Sequence, residues 1–280
     1  MSVARRFPPL RSQGAAWPFG GLALAAFAAC VPLRPPVPMA AIKDGFQPAP
    51  ARCLIVFLPG RSDEARTFVE EGFLGLVREA RLSADLIAAN ATFPYYASGT
   101  FVTRLEADVL APARLGGYEQ TWLVGASMGG FGGLFYASQH PEQVHGVLAL
   151  APWLGDRPLL EEIRDAGGLS LWHPPPAEAF TADNFQRQLW RWLKEEAVEG
   201  RPGPAIWLGW GSSDRLGPAD QLLGEALPPQ RVLSAPGGHN WGTWRELLRQ
   251  FLAGSEVATS CAPRSGNALS GPPLSVRSEQ

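Results

Sequence analysis

Charge of one sign, cysteine, histidine and long apolar runs are all scarce in this chain. Lys plus Arg number 24 against 26 Asp plus Glu, a formal net charge of −2 over 280 residues. No positive excess is therefore present to hold a nucleic acid by bulk electrostatics. Three cysteines, Cys30, Cys53 and Cys261, are too few and too scattered for a disulfide framework, and no C-x-x-C pair signals zinc or thiol redox chemistry. The four histidines, His140, His145, His173 and His239, do not cluster, so no metal site and no organic cofactor is implied. The apolar run over 19–29 is too short to cross a bilayer as an ordinary helix. What the chain does have is a hydrophobic content of 46%, together with ten tryptophans and 27 prolines. That content suits a sizeable core and excludes a disordered or collagen-like chain.

The ends read differently from the middle. Arg5, Arg6 and Arg11 precede the apolar run, which ends at Cys30, the order of an export signal. The stretch Phe27-Ala28-Ala29-Cys30 resembles the lipobox of bacterial lipoproteins, with Phe27 where that box usually carries Leu. The resemblance implies lipidation of Cys30 and membrane anchoring. Simple signal cleavage, an uncleaved anchor and an apolar N-terminus without a targeting role are the alternatives, and all but the last place the domain in the cell envelope. Residues 31–50 carry Pro32, Pro35, Pro36, Pro38, Pro48 and Pro50 and read as an extended linker. Residues 255–280, rich in Ser, Pro and Gly, read as a disordered tail. The folded domain is thus expected over 51–254.

Within it, short apolar runs alternate with helical patterns. Strands are predicted at 53–58, 84–89, 121–125, 147–150, 205–208 and 231–234, and helices at 64–80, 101–110, 129–140 and 241–252. Six strands with intervening helices imply an α/β fold built on a doubly wound, mainly parallel sheet. Such sheets bind ligands at the carboxyl ends of their strands, so those loops carry the chemistry.

Directly after the strand at 121–125 comes Gly125-Ala126-Ser127-Met128-Gly129, a G-x-S-x-G followed by a glycine-rich helix start. A serine in a tight strand-to-helix turn needs neighbours without bulky side chains, and the turn pushes its hydroxyl out of the sheet. A hydroxyl is a weak nucleophile without a base. His239, in Gly237-Gly238-His239 after the last strand, has the position for that task. His140 and His145 flank a helix end and read as ordinary surface residues, while His173 lies in a proline stretch. A carboxylate must orient the base. Asp214, in the loop after 205–208, is the candidate, with Asp156 and Asp183 as substitutes and a local turn role as the plain alternative. The developing oxyanion needs two N–H donors. Met128 supplies one, and Arg61, in Leu58-Pro59-Gly60-Arg61-Ser62-Asp63, the other.

In the order Ser127, Asp214, His239, the domain resembles the α/β-hydrolases. The loop 58–63 is similar to the L-H-G-x-G-D loop of carboxylesterase relatives, with Pro59 in place of His and Ser62 in place of Gly. The stretch His239-Asn240-Trp241-Gly242-Thr243-Trp244 is similar to the end of the esterase-D group. The resemblance implies a serine hydrolase that cleaves carboxylic or thio esters of a small molecule through an acyl-enzyme on Ser127. An acyltransferase using the same residues, or a catalytically silent envelope binding protein, are the competing readings. Residues 153–204 fall where this family inserts caps. They include a predicted helix at 183–199 and three tryptophans, Trp172, Trp190 and Trp192, that would face an acyl group if the segment forms a cap. Tyr95, Tyr96, Trp153 and Trp241 are the candidate pocket residues. Nothing in the sequence sets the oligomeric state.

Overall fold

In the computed structural model, which describes residues 34–46 and 50–263, seven strands share one sheet. They are β1 (Ala41–Asp44), β2 (Cys53–Leu58), β3 (Ala84–Ala89), β4 (Gln120–Ala126), β5 (Gly146–Leu150), β6 (Ala205–Gly211) and β7 (Val232–Ala235). Their order across the sheet is β1-β3-β2-β4-β5-β6-β7. All neighbours pair in parallel except β1 with β3. From β2 the chain moves outward to β3 and then returns to place β4 on the other side of β2. Strand order therefore reverses between β2 and β4, and such a reversal opens a crevice at the carboxyl ends of the strands.

The central strands are apolar on both faces because helices cover both. β2, Cys-Leu-Ile-Val-Phe-Leu, is buried throughout, as a parallel strand with two covered faces should be. Its side chains alternate between two cores. Leu54, Val56 and Leu58 join the cluster that includes Leu134 and Trp190. Cys53, Ile55 and Phe57 join the one with Phe68, Phe73 and Phe251. Burial of each such aliphatic or aromatic side chain stabilises the fold by about 1.5–3 kcal/mol. The helices are α1 (Ala65–Glu70), α2 (Phe73–Glu79), α3 (Phe93–Ala97), α4 (Phe101–Leu105), α5 (Ala111–Arg114), α6 (Met128–Gln139), α7 (Arg157–Asp165), α8 (Phe185–Ala197), α9 (Gly217–Gly224), α10 (Trp241–Gly254) and α11 (Glu256–Ser260). The single helix expected over 64–80 is divided at Gly72, whose φ of 74° is left-handed. The one expected over 101–110 continues from α4 through a π turn, Glu106–Leu110, into α5.

The structure departs from the sequence expectations at two boundaries and at the cysteines. The proline-rich linker over 31–50 contains β1, whose residues Ala-Ile-Lys-Asp are free of proline and pair antiparallel with β3 as an edge strand. The prolines border this strand rather than interrupt it. The tail expected from 255 begins instead with α11, capped by the Ser255 side chain, which accepts from Val257 N–H. Beyond it Cys261 forms a disulfide with Cys53, 208 residues earlier, so these two cysteines are a structural cross-link and not scattered thiols. Closing so long a loop restricts the unfolded chain and is worth several kcal/mol on entropic grounds, about 3–5. The signal segment 1–30 with Cys30, and the tail beyond 263, lie outside the described residues.

Candidate active site

Ser127 follows β4 directly, at the reversal point of the sheet. Its φ of 53° and ψ of −112° are unusual for a residue with a side chain, the strained turn that lifts the hydroxyl off the strand. The residues two positions to either side of it must be glycine. A Cβ on Gly125 would stand 2.1 Å from the Gly129 carbonyl oxygen, and one on Gly129 would stand 1.9 Å from that of Leu58. The turn is thus wedged against the end of β2. Ser127 N–H donates to the Leu150 carbonyl at 2.8 Å, and Trp153 N–H donates to the Ser127 carbonyl at 3.2 Å. Backbone from β2 and β5 therefore fixes the serine from both sides.

His239 and Asp214 arrive on two loops that interlock. Gly211, at the end of β6, lies so close to Gly237 that a Cβ would stand 2.3 Å from the Gly237 oxygen. Ser213 N–H donates to that same oxygen at 2.8 Å. Gly237 has a φ of 124° and no room for a side chain beside Thr243. The result is a continuous hydrogen-bonded chain. His239 Nε2 lies 2.9 Å from Ser127 Oγ, and His239 Nδ1 lies 3.0 Å from both Asp214 carboxylate oxygens. The Asp214 carboxylate is completely buried and also accepts from Leu216 N–H at 2.9 Å. Trp244 meets the imidazole edge to face at 5.0 Å, which restrains the ring from rotating. A serine with an oriented imidazole and a buried carboxylate can transfer acyl groups.

A cavity of about 920 Å3 opens at Ser127. Arg61 and Met128 line it beside the serine. Met128 is the first residue of α6, so its N–H has no acceptor within the helix. Of the four pocket residues expected from the sequence, Tyr96 and Trp153 line the cavity and the other two do not. Tyr95 is buried on the opposite side of α3, its hydroxyl donating to the Pro36 carbonyl at 2.6 Å. Trp241 packs on Phe68 and Phe73, and its indole N–H donates to Asp63 at 3.3 Å. It ties α10 to the loop after β2. Burial pushes the Asp63 carboxyl above the usual range, against the Trp241 hydrogen bond.

The 153–204 segment does wall the cavity, through Trp153, Phe180 and Phe185. Its other tryptophans do not. Trp172 donates to Glu162 and Trp190 to the Leu154 carbonyl, both buried under the segment, and Trp192 is buried in the same core. The remaining histidines play no part at Ser127. His145 accepts from Thr121 N–H at 3.1 Å, and burial lowers its pKa. His140 stacks near Tyr136, and His173 is exposed. Asp156 reaches the cavity but is engaged with the Gln186 amide at 2.8 Å, and Asp183 is exposed.

The family model described as "Putative esterase" matches residues 109–254, just over half of the chain. The chain belongs to this esterase family. The matched segment of this esterase-family chain runs from the helix before β4 through α10 and so contains Ser127, Asp214 and His239. No curated protein matches the chain. Among solved structures, MPT51 (FbpC1) of Mycobacterium tuberculosis is similar over 80% of this chain and 93% of its own, with a TM-score of 0.56 and 14% identity. A ferulic acid esterase is similar over 80% and 97%, with a TM-score of 0.53 and 14% identity. Est1E of Butyrivibrio proteoclasticus covers 76% and 94%, with a TM-score of 0.50 and 16% identity. These likenesses are of fold, and the fold is that of the α/β-hydrolases.

Most of the wall of this candidate site is made by residues that the sequence patterns did not single out. Phe93, Phe101, Phe131 and Phe135 line the cavity together with Phe180 and Phe185. Phe131 and Phe135, stacked with centroids 5.3 Å apart, sit four residues apart on α6, a spacing that could have revealed them. Phe180 lies in a loop without any period. Asp220 was not singled out either. It is fully buried, and neither carboxylate oxygen has a hydrogen-bond partner among the described residues. Burial, reinforced by the nearby Asp214 charge, pushes its pKa well up.

Proposed function

We propose that the protein hydrolyses carboxylic or thio esters through a covalent acyl-enzyme on Ser127. The observation that carries this reading is the unbroken chain from Ser127 Oγ through His239 to Asp214, with links of 2.9 and 3.0 Å. Ser127 Oγ attacks the ester carbonyl carbon while His239 Nε2 takes its proton. Asp214 accepts from Nδ1–H, which fixes the tautomer and stabilises the imidazolium that forms. The carbonyl oxygen becomes an oxyanion facing the backbone N–H groups of Met128 and Arg61, in a site where such donors act strongly. Collapse breaks the ester C–O bond and the leaving alcohol takes the proton from Nε2. Water then gives a proton to His239 and attacks the acyl group, releasing the carboxylic acid and restoring Ser127. Every proton and electron pair in this cycle is handled by the protein and water, so the reading calls for no cofactor.

The test is hydrolysis of a panel of nitrophenyl and thioester substrates by the wild type and by Ser127→Ala. Turnover by the wild type, lowered by about 10³-fold or more in the variant, is the expected result. An inactive wild type, or full activity in Ser127→Ala, contradicts it.

The protein is further proposed to work in the cell envelope. The N-terminal pattern ending at Cys30 supports this, as does the Cys53–Cys261 disulfide, a cross-link of a kind that persists in oxidising compartments. Mass spectrometry of the protein from bacterial membranes should find its N-terminus at a lipid-bearing Cys30. An unprocessed chain starting at Met1 in the cytosolic fraction would contradict the assignment.

A further inference from the structure

We infer that the esters taken by this site, given the hydrolase reading above on which the inference rests, carry an anionic group that Arg61 and Arg215 bind. Both arginines line the cavity with Ser127. They reach it from opposite sides, since Arg61 follows β2 and Arg215 follows β6, and these strands lie on either side of β4 and β5 in the sheet. Neighbouring strands are about 4.8 Å apart, so the two loops bracket the serine along the carboxyl edge of the sheet.

Their lack of partners is the informative feature. Most described arginines sit against a carboxylate, as Arg52 does on Glu119, Arg78 on Asp44, Arg187 on Glu162 and Arg231 on Glu256. Arg61 and Arg215 have no such partner among the described residues. Arg61 instead lies over the Phe93 ring, 4.5 Å from its centroid, which holds the guanidinium at the cavity wall. One carboxylate, Asp156, lines the same cavity, and its oxygen is engaged by the Gln186 amide. The cavity is thus lined by two arginines, neither in an ion pair among the described residues, against a single carboxylate. Everything else there that bears on charge is neutral, and much of it is aromatic. The rings of Tyr96, Phe131, Phe135, Trp153 and Phe185 are in mutual contact, with centroids 5.3–6.4 Å apart.

An apolar wall of this kind accepts a flat hydrocarbon group but gives no stabilisation to a charge. A planar guanidinium does, and it matches carboxylate and phosphate oxygens with two parallel N–H donors. A substrate with both a flat apolar part and an anionic oxygen group uses the whole lining, whereas a neutral ester leaves both arginines idle. Carboxylate and phosphate share this chemistry, and the test separates them.

The probes are nitrophenyl esters of 4-methylbenzoic, 4-carboxybenzoic and 4-phosphonobenzoic acid. Their kcat/KM values are corrected for the reactivity of each ester toward hydroxide. Wild-type protein should prefer at least one anionic ester over the methyl ester by about ten-fold, and whichever anion is preferred identifies the group. The preference should shrink as salt is raised, fall towards unity in the Arg61→Gln, Arg215→Gln double variant, and survive largely in Arg215→Lys. Salt dependence is read on the wild type, so the outcome does not depend on how the variants fold. Equal or faster turnover of the methyl ester, or a preference that neither salt nor the double variant moves, overturns this inference and leaves the hydrolase reading standing. Absence of turnover of all three esters together with the panel above defeats both.

Discussion

The two walls of the cavity are made by different means. On the strand side, the positions of Ser127, Asp214 and His239 are set by backbone against backbone. Gly129 touches the Leu58 carbonyl and Gly211 touches that of Gly237, with no space for even a methyl group. On the other side, beyond Trp153, whose N–H holds the Ser127 carbonyl, the 153–204 segment meets the cavity through side chains: Phe180 and Phe185 lean on Phe135, with centroids 5.1 and 6.1 Å apart. α7 is joined to α8 through the Glu162–Arg187 ion pair. The chemistry is therefore held by contacts that no substitution can mimic, and the shape of the cavity by contacts that many substitutions can. One fold can keep its reaction while its choice of acyl group varies.

The largest effect should come from breaking the strand side. Gly129→Ala forces a methyl group into the Leu58 carbonyl, which is backbone and cannot move aside. The variant should lose esterase activity by at least about 100-fold, since misplacement of a reacting group by about 1 Å has that effect. Steady-state assays with nitrophenyl acetate check this, and a variant with near-normal kcat would mean that the turn is not as rigid as described. A smaller effect is expected on the other wall. Phe185→Ala removes one ring of the aromatic group, so KM for an aryl ester should rise several-fold, corresponding to about 1 kcal/mol of lost aromatic contact. Turnover of an acetyl ester should hardly change. A large fall in kcat for both esters would erase the distinction between the two walls.

The smallest effect concerns how the insertion is held. Arg187 keeps the Glu162 carboxyl at about 2, well below its ordinary 4.5. A carboxylate whose folded-state value is depressed contributes stability above the unfolded value and loses it as pH falls through the folded one. This pair should therefore hold α7 to α8 at neutral pH and release progressively from about 4.5 down to about 2. The side chains are partly exposed, so the contribution is modest. Glu162→Gln should raise proteolytic cutting within 153–204 at neutral pH while leaving the melting of the sheet little changed. Equal protection of that segment in both proteins would show that the ion pair is incidental.

The same contrast explains what could be read from the sequence. The parallel strands and α6 were legible because their apolar runs and glycines are local signals. Ser127, Asp214 and His239 were legible because each lies just past a strand end, where such sheets place their chemistry. β1 was hidden because prolines crowd around four residues that are free of them. The disulfide was hidden because Cys53 and Cys261 are 208 residues apart and meet only once the sheet and the C-terminal helices have packed. Tyr95 and Tyr96 are adjacent in sequence, yet successive residues of a helix point about 100° apart. One of them therefore enters the core beneath Pro36 and the other faces the cavity. Trp241 stands two residues after the histidine but is drawn away by Phe68, Phe73 and Asp63, contacts from a distant part of the chain.

The most direct measurement is labelling with a fluorophosphonate, followed by peptide mapping by mass spectrometry. A nucleophile activated as described should gain a single phosphonyl group, on Ser127, at a rate lowered by orders of magnitude in His239→Ala. A label elsewhere, no label on the folded protein, or labelling indifferent to His239 would contradict the account.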